Sequence, residues 1–272
     1  MRVLTVHLGK GGVGKSSTSY CLAGALVDAG KRVLLVDLDS NASLTLAYGG
    51  QLCQPQESIG MALAMPSAGL PRPLPHEHVD GLWLWGGTTQ ETGAAEALLS
   101  QRNHVSALAE LLDQVSSDYD WCVIDTPPAT ATSTLVANAF HVADELLMPA
   151  TPEWGVLPQI GLTYEAYRRR LEVGEASGQL RGLLWNAVPG QRSNERDDVM
   201  AEVAKRGIPT LDVFIPREVL VSESYAMGMP ITWYARHLLE DKQIRKPSKA
   251  AAAFTHVAGH LLGLHNTVPV AG

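Results

Sequence analysis

Residues 7–17, HLGKGGVGKSS, place four glycines and two lysines between an apolar run and a serine pair. No other stretch restricts the fold as much. Residues 9–16 fit the spacing G-x-x-x-x-G-K-S, which carries a mechanism when a strand precedes it and a helix follows. Glycines let successive backbone N–H groups turn inward and approach anionic oxygens closely. A helix starting at Gly14 adds its positive N-terminal end. The run before the loop, RVLTVHL (2–8), reads as a buried strand, and residues 15–29 read as a helix. In that setting Lys15 reaches the β- and γ-phosphates of a nucleotide, and the Ser16 hydroxyl is a ligand for Mg²⁺.

Further apolar runs at 32–38, 82–85, 121–125, 145–150, 182–188 and 211–216 predict strands. Several are apolar at nearly every position, as a parallel sheet covered on both faces requires. Helical patterns near 93–116, 154–174, 194–206, 217–227 and 248–264 alternate with them. The expectation is an α/β fold: a doubly wound, mostly parallel sheet with helices on both faces. A chain of 272 residues that is 46% hydrophobic can bury one large core. A single domain is expected over 1–265, with 266–272 a frayed tail.

Asp125 ends the strand WCVID, so its carboxylate sits at the carboxyl edge of the sheet, where open α/β folds bind ligands. It can hold Mg²⁺ through water or orient a nucleophile. Asp37 and Asp39 end VLLVDLD, and the two-residue period of a strand puts both on one side. One is expected to cap the next helix while the other meets substrate.

Other features read as structural. The proline-rich stretch 65–81 is a surface loop, and His76 and His78 beside Glu77 are solvated rather than metal ligands. Arg168, Arg169 and Arg170 form a wet helix end. Cys21, Cys53 and Cys122 give no metal framework and suit a reducing compartment. The N-terminus has no signal-peptide pattern, and no apolar run reaches spanning length. A soluble, cytoplasmic protein with no membrane association is the expectation.

In order and spacing, KGGVGKSST, VLLVDLD, WCVIDTPPA, MPATPEWGVLPQIG and FIPREVLVSESYAMGMPI resemble the ParA/MinD family of deviant Walker ATPases, from residue 2 to about 265. The resemblance implies ATP and Mg²⁺ as cofactors and a nucleotide loop made of Gly11, Gly12, Val13, Gly14, Lys15, Ser16 and Ser17. It also explains the second lysine. In this family the earlier lysine, here Lys10, crosses a dimer interface to the phosphates of the partner's ATP, much as an arginine finger does. By position Asp39 matches the switch I aspartate that places the attacking water. Asp125 matches the Walker B aspartate, with Thr126, Pro127 and Pro128 as switch II. Asn186 and the trio Pro216, Arg217 and Glu218 fall where the family contacts adenine.

The chain also departs from the family. D-P-Q-G-N is common at the switch I aspartate, where this chain has Ser40, Asn41, Ala42 and Ser43 behind Asp39, so hydrolysis is expected to be slow or differently tuned. A basic residue common after I-P-R is replaced by Val219, Leu220 and Val221.

The formal net charge of −7 argues against coating a polyanion by bulk charge. The charge is uneven, however. Residues 1–180 carry 10 basic and 19 acidic side chains, a net of −9, and residues 181–272 carry 11 and 9, a net of +2. The basic candidates for a phosphate surface are Arg192, Arg196, Arg217, Arg236, Lys242, Arg245, Lys246 and Lys249. The end of the chain, AAAFTHVAGHLLGLHNTVPVAG, lacks the lysines and arginines of a membrane-binding helix. Cys21 and Cys122 read as core residues rather than ligands of an Fe–S cluster. Within the family a DNA-partition ATPase without an N-terminal helix-turn-helix therefore fits best. Such a protein is an ATP-bound homodimer that holds double-stranded DNA non-specifically over the nucleoid. A ParB-like, centromere-binding partner stimulates hydrolysis and so releases it. A positioner of protein cargo, a MinD-like regulator and a non-hydrolysing binding switch remain the alternatives.

Overall fold

The computed structural model describes residues 1–51, 53–129, 132–241, 243 and 246–264. Among them seven strands form one sheet in the order β3–β4–β2–β5–β1–β6–β7. They are β1 (Arg2–Val6), β2 (Val33–Asp37), β3 (Leu74–Pro75), β4 (Leu82–Trp85), β5 (Trp121–Asp125), β6 (Glu145–Ala150) and β7 (Gln179–Trp185). All neighbours are parallel except β3 and β4.

Alternation along the central strands sorts their side chains between two cores. Leu4 and Val6, Val33 and Leu35, and Trp121 and Val123 face one side. There they meet α1 (Lys15–Asp28) and α11 (Lys249–Leu261), with α10 (Ile231–Glu240) and α9 (Val219–Ala226) alongside. Leu34 and Val36, with Cys122 and Ile124, face the other side. That face packs on α3 (Ile59–Ala64), α4 (Thr89–Arg102), α5 (Ala107–Asp113) and α6 (Thr134–Val142). Toward β7 a third core joins α7 (Leu157–Glu172) and α8 (Asn194–Lys205) to β6 and β7. Cys21 and Cys122 are core residues, as their sequence positions suggest.

The helical pattern at 93–116 is two helices, because Asn103 adopts the left-handed conformation (φ 50°) and ends α4. The run at 211–216 is not a strand. It touches β7 and the residues just beyond it at isolated bridges, Leu183 with Thr210 and Val188 with Pro216. Leu211 and Ile215 donate to the Leu183 and Trp185 carbonyls at 2.9 and 2.8 Å, and the pairing lapses between them. Strand β7 runs from 179 to 185 rather than 182 to 188. α2 (Ser43–Gly49), α3, α6, α10 and the short β3 had no separate signal in the sequence. Arg168, Arg169 and Arg170 lie in the last turns of α7, with Arg168 paired to Glu172 and Arg170 to Glu175.

The loop at 65–81 is not wholly solvated. His76 is buried, and its Nδ1 accepts the N–H groups of His78 and Val79 at 3.0 and 3.1 Å. Its Nε2 then carries the proton and lies 2.7 Å from the Tyr20 hydroxyl of α1 and 3.0 Å from the Gly228 carbonyl. Burial holds its pKa below the usual histidine value, so the ring is a neutral fastener.

Register places the candidate site. Val33 to Asp37 pair with Trp121 to Asp125, and Val6 also pairs with Asp125. Asp37 and Asp125 therefore sit side by side at the carboxyl edge of the sheet, where β1 hands over to the glycine-rich loop. No helix among the described residues is long and apolar enough to cross a membrane.

Candidate functional site

The loop between β1 and α1 turns through two left-handed glycines, Gly12 (φ 79°) and Gly14 (φ 87°). A Cβ on Gly14 would lie 2.1 Å from Asn186 Nδ2, so a side chain there is excluded by contact as well as by conformation. Asn186, just past β7, donates from that nitrogen to the Val13 carbonyl at 2.9 Å and holds the loop from outside.

Its two lysines behave differently. Lys15 is buried, and its Nζ donates to the Lys10 carbonyl at 2.9 Å. Burial holds its pKa below the usual lysine range, opposed by the charges of Asp125 and Asp39. Lys10 points away, and its Nζ donates to the Gly155 carbonyl at 2.6 Å, on the turn Trp154–Val156. The neighbouring Trp154 is half exposed.

Beneath the loop Asp125 is fully buried. One oxygen is 3.3 Å from the Ser19 hydroxyl, and Oδ2 has no hydrogen-bond partner among the described residues. Burial, and then the neighbouring charge of Asp37, pushes Asp125 up to about 8, with the Ser16 hydroxyl opposing the shift. Burial also raises Asp37 to about 6, although the Thr45 hydroxyl and N–H donate to it at 2.6 and 2.9 Å. Asp37 is thus the carboxylate that caps α2. A buried carboxylate with one unpaired oxygen, next to the Ser16 hydroxyl, is a donor set that a hard divalent cation fits.

Asp39 stands at the cavity wall. Its Oδ1 accepts from the N–H and the Nδ2 of Asn41 at 2.9 and 3.0 Å. The turn closes through Ala42, which adopts a left-handed conformation (φ 51°, ψ 33°) and donates its N–H to the Asp39 carbonyl at 2.8 Å. His7, at the end of the first apolar run, is buried, and its pKa falls to about 3 from desolvation and the charge of Lys15. Thr126 Oγ1 donates to the Val6 carbonyl, so it accepts from His7 Nδ1–H at 2.8 Å and fixes the tautomer.

A cavity of about 580 Å³ opens over these groups. Gly11 to Ser17, Asp39, Asn186, Pro216, Arg217 and Glu218 all line it. Neither Asp125, which is fully buried, nor Lys10 is among the residues that line it. Asn41 and Tyr225 also line it, and the sequence does not single them out as site residues. Tyr225 of α9 carries a buried hydroxyl that faces the Ser16 hydroxyl. Burial and the charges of Asp125 and Asp37 raise its pKa far above the phenol range, with the Ser16 hydroxyl opposing the shift.

The basic candidates are dispersed. Arg236 pairs with Asp28 at 2.8 Å, and Arg196 with Asp197 at 3.2 Å. Arg192, Arg217, Lys246 and Lys249 are exposed. Arg217 lines the cavity, and Lys249 is tied near it through its backbone N–H, which donates to the Glu218 carboxylate at 2.9 Å. Lys242, Arg245 and the tail 266–272 lie outside the described residues.

The family profile described as AAA domain matches residues 1–162. The chromosome partitioning protein ParA of Myxococcus xanthus is 30% identical over 241 residues, covering 86% of this chain and 81% of that one. The maintenance of carboxysome distribution protein A of Synechococcus elongatus is 28% identical, covering 76% and 83%. Among solved structures, the ATP complex of a Cyanothece McdA variant superposes with a TM-score of 0.78 over 99% of each chain at 19% identity, a likeness of fold. Cobyrinic acid a,c-diamide synthase of Mycobacterium smegmatis, with a bound ATP analogue and magnesium, gives 0.76 at 27% identity over 98% and 96%.

Proposed function

This chain belongs to the ParA/MinD family of P-loop ATPases, which partition or position cargo, and from that premise we propose that it is a DNA-partition ATPase. In this reading it binds ATP with Mg²⁺, pairs into a homodimer around two nucleotides and holds double-stranded DNA without sequence preference. A ParB-like partner speeds hydrolysis and releases it from the nucleoid.

The observation that carries the reading is the divergence of Lys10 and Lys15 from one loop. Lys15 points into its own cavity, where it exchanges the Lys10 carbonyl for phosphate oxygens. Backbone N–H groups from Gly11 to Ser16 and the start of α1 add donors to the same phosphates. In this reading Lys10, which lies outward on Gly155, leaves that carbonyl and serves the nucleotide of a second copy. The exposed Trp154 beside Gly155 and Val219 beside Glu218 are apolar surface that a partner would cover.

Ser16 and Asp125 would hold the Mg²⁺, Asp125 through water. When bound, the cation neutralises charge that builds on the phosphate oxygens during transfer. Asp39 places water with Oδ2, because Asn41 engages Oδ1. Asn186, Pro216, Arg217 and Glu218 form the wall for the base. Since Arg196 and Arg236 are already paired with carboxylates, one subunit offers modest charge, and pairing two subunits doubles it.

Light scattering with and without ATP and Mg²⁺ tests the dimer. Wild type should double in mass, and Lys10→Ala should bind nucleotide without doubling. Doubling of the variant would overturn the role of Lys10 across the interface. Filter binding to unrelated duplexes over a range of salt tests the DNA step, with affinity expected to fall linearly in log–log form. A dimer that ignores DNA at low salt would favour a positioner of protein cargo.

A further inference from the structure

Away from the cavity, α11 packs Phe254, Val257, Ala258 and Leu261 into the core and leaves His256 and His260 on its outer side. The two are four residues apart, so their rings lie one turn from each other on one face. Their Nε2 atoms are 2.8 Å apart, and Asp212 Oδ1 is 3.4 Å from His260 Nε2. All three ligand atoms lie within 4.8 Å of one another.

We propose that Asp212, His256 and His260 bind a first-row divalent metal ion of the zinc class. In doing so they fasten α11 to the segment that enters the nucleotide cavity. Two imidazole nitrogens and one carboxylate form a donor set suited to zinc, and three protein ligands leave a fourth position for water. Hard ions such as Mg²⁺ and Ca²⁺ prefer an all-oxygen shell. A tetrahedral ion about 2.0–2.1 Å from each ligand needs ligand atoms roughly 3.3 Å apart. The observed 2.8 and 3.4 Å lie on either side of that value and the third pair lies within 4.8 Å, so rotation of these surface side chains seats the ion without moving the backbone.

The position of the site gives the ion a consequence. At its N-terminal end α11 already grips Glu218, which accepts from the Ser248 hydroxyl at 2.5 Å and the Lys249 N–H at 2.9 Å. Six residues separate Asp212 from Glu218, about 20 Å of extended chain. Twelve separate Ser248 from His260, about 18 Å of helix. The segment therefore runs antiparallel to α11, tied by Glu218 at one end and by the metal at the other. Pro216, Arg217 and Glu218, between the ties or at one of them, line the cavity.

The test uses the full chain stripped with chelator and kept free of nucleotide. Zn²⁺ is titrated calorimetrically, and Co²⁺ is followed by its visible absorption. Wild type should take up one equivalent that raises its melting temperature. Asp212→Asn with His256→Gln and His260→Gln should lose that equivalent. His256→Gln alone should weaken it by more than the roughly 10–100-fold that loss of an outer-shell partner costs. All three side chains lie at the surface, and circular dichroism verifies that the variants fold. Lys15→Ala should bind Zn²⁺ like wild type, which separates this site from the nucleotide reading. Uptake of the same equivalent by the triple variant, or none by wild type, would overturn the proposal.

Discussion

The Lys15 ammonium donates to the backbone carbonyl of Lys10, 2.9 Å away, so the loop is braced by its own signature lysine. That bond also fixes the backbone from which Lys10 sends its charge outward to Gly155. Lys15→Ala should therefore remove the buried cation and the brace together. Nucleotide affinity should fall at least 100-fold, the scale of a charge-assisted hydrogen bond lost from a buried phosphate. Fluorescent ATP-analogue titration reads it, and a loss of only a few-fold would mean that the loop is not the site.

Asp39→Ala should bind ATP and form the dimer but turn over slowly, because Asn41 alone cannot place water. A phosphate-release assay beside light scattering separates the two steps. Full turnover in the variant would move water placement to Asp125.

Without ligand the acidic pair makes the fold pH-sensitive. Asp125 near 8 and Asp37 near 6 keep protons in the folded chain that an unfolded aspartate releases near about 4. The folded chain thus binds more protons across that window, and these groups stabilise it most below about 4. Their contribution is lost as pH rises toward 8. Melting temperatures from pH 5 to 8 should fall for wild type and fall less for Asp125→Asn. Equal slopes would show that Asp125 is ionised in the free protein.

Tyr225→Phe removes a buried hydroxyl that faces the Ser16 hydroxyl beside the cation position. The free chain should stay within about 1 kcal/mol of wild type. If the hydroxyl meets bound nucleotide or its cation, the rise in melting temperature on adding Mg²⁺ and ATP should shrink. A loss confined to the loaded form identifies a ligand contact, and a loss in both identifies a packing role.

The phosphate loop and its two aspartate-ending strands were legible because each needs residue types at fixed spacing. Gly14 cannot carry a side chain beside Asn186, and β2 and β5, buried on both faces, must be apolar up to the aspartates that end them. Asn41 and Tyr225 were not legible, since neither stands in a spacing that demands it. Tyr225 reaches the cavity only because α9 lies against α1. His76 misled because a proline-rich stretch reads as solvated, whereas its ring is taken up by Tyr20 and Gly228. The run at 211–216 has the composition of a strand and bonds to β7 at both ends, through Leu211 and Ile215, but the pairing is interrupted between them. Short helices such as α2 and α3 are held by packing and caps, which single-segment periodicity does not record.

Ala42 holds a left-handed turn where family members commonly carry glycine, and its methyl group makes that geometry about 1 kcal/mol harder to keep. The backbone behind Asp39 therefore carries strain that a single methyl group sets. Ala42→Gly relieves it, and the protein should melt at a slightly higher temperature with every group that lines the cavity unchanged.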